Sequence, residues 1–61
     1  MTKKCYYLEN SAEAALAVSS IESNFPCFTT MDILDDGYIE FTISCRSEDV
    51  AIIERILANF V

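Results

Sequence analysis

The sequence predicts an α+β domain: a two-layer β-α-β-β-α unit whose three-stranded sheet, antiparallel or mixed, carries two helices on one face. Two observations predict it directly. Two strand-like stretches, Cys27 to Leu34 and Tyr38 to Cys45, flank the only glycine, Gly37, and two further stretches repeat apolar residues at helical spacing. A third observation limits the size: 61 residues, 52% of them hydrophobic, make one domain with enough apolar surface to offset the entropy of ordering. At this length a single core removes only about 60% of the unfolded chain's surface from water, so association would add to a modest stability.

The elements follow in order. "KCYYLE", Lys4 to Glu9, is short and rich in aromatics, as a strand is, but its two faces, Cys5/Tyr7 and Tyr6/Leu8, are both partly apolar. Asn10 or Ser11 supplies an N-cap, with Glu13 in capping-box register to Asn10. Ala14, Ala17, Val18, Ile21 and Phe25 then form one apolar stripe of a helix. Pro26 disfavours helical geometry at Phe25, so that helix should stop by about Asn24.

The turn between the next two strands can be tested against the pattern. A two-residue Asp36-Gly37 turn would place Asp32 opposite Phe41, a carboxylate beside a buried ring. A three-residue Asp35-Asp36-Gly37 loop, with Gly37 left-handed, instead pairs Ile33 with Ile39, Met31 with Phe41, Thr29 with Ile43 and Cys27 with Cys45. One face is then almost wholly apolar, and a slip of one residue would invert it. Ser47 is the expected cap of the last helix, with Glu48 and Asp49 in its first turn and Val50, Ile53, Ile56, Leu57 and Phe60 as its stripe. This order is a ferredoxin-like arrangement truncated before its final strand; the strands are expected to lie 1-3-2, leaving strand one as an open edge.

Charge excludes several functions. The net charge is −6, and between Lys4 and Arg46 lie Glu9, Glu13, Glu22, Asp32, Asp35, Asp36 and Glu40 with no base among them. Direct binding of nucleic acid relies on Lys and Arg to neutralise phosphates, and anionic membranes demand the same, so neither partner is expected. The longest apolar run, "AALAV", is far short of the ~20 residues of a membrane span. Cys5, Cys27 and Cys45 form neither a CxxC metal pair nor a disulfide framework, so a cytoplasmic, reducing setting is expected.

Catalysis lacks its usual parts. The chain contains no His, the commonest general base and metal ligand. The cysteines are therefore read as small packed hydrophobes in strands, with Cys27 and Cys45 close enough to cross-link under oxidation. The single glycine excludes Gly-rich phosphate loops, and "DILDDG" lacks the spacing of a calcium loop, so no cofactor or metal is expected.

What remains is "DILDDGYIEF", where Asp32 faces Glu40 across the strands and Asp35 and Asp36 sit at the tip. With both helices on the other side, Phe28, Leu34 and Tyr38 share this uncovered face, so apolar groups are rimmed by acids as at many interfaces. Two readings stay open: the acids keep a hydrophobic protein dissolved, or they steer it to a basic protein surface. In size and charge the chain is similar to the small inhibitors encoded by phages and mobile elements, anti-CRISPR proteins and DNA mimics among them. That resemblance implies a non-enzymatic protein that occupies a basic, nucleic-acid-binding groove of its partner. The alternative is a homo-oligomeric regulatory domain that binds a small ligand between subunits, with a homodimer formed through the first strand or the exposed sheet face.

Overall fold

The structure is a computed structural model describing every residue from Met1 to Val61. It contains β1 (Thr2–Glu9), α1 (Ala12–Asn24), β2 (Cys27–Ile33), β3 (Tyr38–Cys45) and α2 (Val50–Leu57), with short 3-10 turns at Ser47–Asp49 and Ala58–Phe60 on either side of α2. The strands lie in the order β1-β3-β2, with both pairings antiparallel, so the fold is the α+β arrangement the sequence predicts. Its layout is compatible with a ferredoxin-like split βαβ unit.

The hairpin follows the apolar register. Ile33 pairs with Ile39, Met31 with Phe41, Thr29 with Ile43 and Cys27 with Cys45. Gly37 takes φ +84°, a left-handed value that L side chains rarely adopt, and the Leu34 N–H closes the loop on the Tyr38 carbonyl at 2.9 Å. Asp36 is part of this turn, since its Oδ1 accepts from the Tyr38 N–H at 3.1 Å.

One helix start resolves an open alternative and the other differs from expectation. Ser11, not Asn10, caps α1: its hydroxyl accepts from the Ala14 N–H at 3.2 Å, which puts Ala14 rather than Glu13 at the third helical position and leaves no capping box. Ser47 does not cap the last helix. It begins a 3-10 turn, and its hydroxyl pairs with that of Thr2 at 2.6 Å. Within the same turn Asp49, nearly buried, accepts from Arg46 Nε at 2.9 Å, and this carboxylate raises the guanidinium's pKa further.

The core joins Leu8 of β1 and Phe41, Ile43 and Cys45 of β3 to Val18 and Ile21 of α1 and Ile53 and Leu57 of α2. β2 contributes no fully buried residue. The face expected to be buried along the whole hairpin is buried on β3 only: Met31 is 48% and Ile33 75% exposed, although both point to the helix layer. The cause lies in α1. Glu22 accepts a hydrogen bond from the Thr29 hydroxyl, which identifies the flank of α1 that faces β2. Ala15, seven residues earlier on that flank, lies ~10 Å back along the helix, level with about the third residue beyond Thr29 on β2. Ala15 is itself exposed, and its methyl group presents little surface to cover Ile33.

Candidate partner-binding surface

The sheet face away from the helices is ordered by two registers that share β3. Tyr7 pairs with Glu40, which pairs with Asp32; Cys5 pairs with Thr42, which pairs with Thr30; Lys3 pairs with Ser44, which pairs with Phe28. Glu9 pairs with Tyr38 at the hairpin end, beside Leu34. No helix covers any of these rows, and Phe28 (76% exposed), Tyr7 and Tyr38 stand open.

The face is graded along the strands. Toward the loop it carries Glu9, Glu40 and Asp32 interleaved with Tyr7 and Tyr38, and Asp35 and Asp36 extend the same field from the tip. Toward the other end it carries Lys3, Cys5, Phe28 and hydroxyls. Asp32 and Glu40 are direct cross-strand neighbours, an arrangement that destabilises the hairpin by about 0.2–1 kcal/mol relative to an uncharged pair. No base in the chain offsets it, since the only ion pairs are those of Arg46 with Glu48 and Asp49. The Glu40 carboxylate acts on its other neighbour too, pushing the Tyr7 phenol above its ordinary range by repelling the phenolate.

All the residues singled out from the sequence lie on this surface. Asp32, Glu40, Phe28 and Tyr38 are on the strands; Leu34, half-buried, continues β2; Asp35 and Asp36 form the exposed loop tip. Sequence reasoning missed the contribution of β1. Tyr7, Cys5, Glu9 and Lys3 complete the face, but the strand's periodicity does not assign them because both of its faces are partly apolar. The burial of Leu8 decides the matter, since it sends the odd-numbered residues outward.

The cysteines divide accordingly. Cys45 is buried, Cys27 is half-buried with its thiol pushed up by burial and then by Glu22, and all three are free. Cys5 is the correction: it is exposed on the outer face rather than packed. Nowhere do three His, Cys, Asp or Glu side chains converge around a metal-sized space, and the surface holds no concave pocket. No helix is long and apolar enough to cross a membrane. Comparison with known protein families, curated proteins and solved structures finds no match to this chain.

Proposed function

We propose that the protein is a non-enzymatic binding module, working in the cytoplasm, that docks a basic surface of a partner protein through the β2–β3 hairpin and the uncovered sheet face. One observation carries the reading: Asp32 and Glu40 stand directly opposite each other on a face that no helix covers, between exposed Phe28 and Tyr38. A like-charge pair that costs the hairpin stability is explained if a cation from outside completes it. Tyr7, Tyr38 and Phe28 supply the apolar anchors that charge alone lacks, because steering sets association rate and orientation while buried rings hold the complex.

A basic surface that binds nucleic acid is the partner this chemistry fits best, with carboxylates in place of phosphates. The cluster is short and two strands wide, so it suits competition at one spot on a groove rather than imitation of a long duplex. In this the protein is similar in scale and charge to the phage-encoded and anti-CRISPR-type inhibitors.

The test uses a triple reversal, Asp32→Lys, Asp35→Lys and Glu40→Lys, leaving Asp36 in place because it accepts from the Tyr38 N–H within the turn. A host protein captured by the native chain at low salt should be released at high salt and should not be captured by the reversed chain. Capture that survives the reversal overturns the reading. The alternative, a homo-oligomeric regulatory domain with a ligand between subunits, draws support from the open β1 edge; a metabolite that raises Tm in a thermal-shift screen would favour it.

A further inference from the structure

We propose that β1 is the interface for a second copy of this chain, paired antiparallel to its own equivalent about a two-fold axis at Tyr6. The inference does not rest on the docking reading, although the outer-face side chains of β1 belong to both surfaces.

The edge is open and its backbone groups can be assigned. The Asn10 N–H donates to the Gly37 carbonyl of the β3 side at 3.1 Å, and ladder groups alternate along a strand, so Leu8, Tyr6, Lys4 and Thr2 direct their backbone toward β3. Lys3, Cys5, Tyr7 and Glu9 therefore direct theirs outward, free of any backbone partner except at Glu9, whose carbonyl accepts from the Ser11 N–H at 3.0 Å. In the same strand the side chains of these four residues lie on the outer face. A two-fold partner that continues the sheet must place outer-face residues opposite outer-face residues.

Charge then selects the register and the partner. β1 is cationic at its start, with Lys3 and Lys4, and anionic at its end, with Glu9, and none of these charges has an ion-pair partner within the chain. Antiparallel pairing about Tyr6 sets Lys3 against Glu9 of the partner subunit and Glu9 against the partner subunit's Lys3. It also sets Cys5 against Tyr7 of the partner subunit, and each outward residue exchanges both backbone hydrogen bonds with its opposite, the Glu9 carbonyl using its second lone pair because the first holds the Ser11 N–H. Parallel pairing would align Lys3 with the partner's Lys3. A shift of two residues would place Cys5 against the partner's Cys5, lose the outermost pairings and leave Glu9 without a cation. An edge lysine ordinarily repels a foreign strand, so the charges that admit this copy also exclude unlike ones.

The product is a six-stranded sheet, β2-β3-β1 continued by its symmetry mate, with the acidic hairpins at opposite corners and both apolar β2 edges left outermost. It joins the two outer faces into one and places Tyr7 of each copy near the centre.

Sedimentation equilibrium over a concentration series tests it. The native chain should sediment at twice its 6.9 kDa mass, Glu9→Lys should weaken the dimer roughly tenfold or more, and the exchange Lys3→Glu with Glu9→Lys should restore it. Both positions are exposed, so circular dichroism should show the variants folded. Register is read separately: Tyr7→Cys, oxidised with copper phenanthroline, should cross-link the introduced thiol to Cys5 of the partner subunit. A chain that stays monomeric up to about 1 mM, a dimer indifferent to Glu9→Lys, or a native chain that cross-links through Cys5 to the partner's Cys5 overturns the proposal. The triple reversal at Asp32, Asp35 and Glu40 leaves this strand untouched, so failure of the docking reading does not imply failure of the dimer.

Discussion

β1 and β2 flank the same central strand, both antiparallel to it, and both are edges of the sheet, yet the molecule treats them differently. Ile39 has Leu8 on one side and Ile33 on the other; Leu8 is 0% exposed and Ile33 75%. Phe41 likewise lies between Tyr6, whose hydroxyl donates to Glu54 of α2 at 2.8 Å, and Met31, which is half open to solvent. The difference originates in the helices. α2 brings Glu54 to β1, whereas α1 brings Glu22 to β2 at Thr29 and carries only Ala15 one helical repeat further back on the same flank. Position at the edge of a sheet therefore does not by itself set burial. β1 is an apolar-backed edge with charges at its ends, suited to one matched strand, and β2 is an edge with exposed apolar groups on both faces beside an acidic loop.

The largest effect expected is at the shared centre. Phe41→Ala should destabilise the fold by about 3–5 kcal/mol, seen as a lower midpoint in urea, because it empties the fully buried position between the two edges. The asymmetry itself is tested by a matched pair of truncations. Leu8→Ala should cost about 2–5 kcal/mol, while Ile33→Ala, on the other flank of Ile39, should stay within about 0.5 kcal/mol. Equal costs would show that β2 is covered as well as β1 and would undo the comparison.

A third prediction concerns pH. Tyr6 has its phenol pKa raised, first by burial and then by the hydrogen bond and charge of Glu54. An acid whose folded pKa exceeds its unfolded value of about 10 favours the folded state below that pH and withdraws its contribution as pH rises above it. Stability should therefore fall on the alkaline side of about pH 10, and Tyr6→Phe should flatten that limb while costing about 0.5–1.5 kcal/mol near neutrality. An alkaline limb unchanged in Tyr6→Phe would show that β1 is not held to α2 through this phenol. The smallest effect is at the acidic pair. Asp32→Asn should stabilise the hairpin by about 0.2–1 kcal/mol by removing like-charge repulsion, and it should at the same time weaken capture of the basic partner. Gain of stability without loss of binding would reduce the acids to a solubilising role.

Much of this architecture is legible in the residues. The stop at Pro26, the apolar stripes of both helices and the pairing of Asp32 with Glu40 all follow from patterns local enough to be read in one dimension. So does the loop at Gly37, because a single slip would have put a carboxylate against Phe41. The candidate surface is half legible for the same reason: its β2 and β3 members are placed by the hairpin register. Its β1 members were hidden, since Tyr6, Tyr7 and Leu8 offer three large side chains in a row and no alternation to orient them. The cap of α1 is narrowed to Asn10 or Ser11, adjacent residues that compete for the same role, and only the structure selects Ser11; Ser47 instead opens a 3-10 turn, two residues before the Asp49 that precedes α2.

The sequence by itself determined the elements, the hairpin register and the acidic composition of the loop, because these rest on backbone stereochemistry and on contacts between near neighbours in the chain. Only the tertiary structure decided which face of β1 turns outward, which edge α1 fails to cover and which charges are left without partners. Those outcomes depend on how far a side chain on one element reaches toward another, and that distance exists only once the layers are packed.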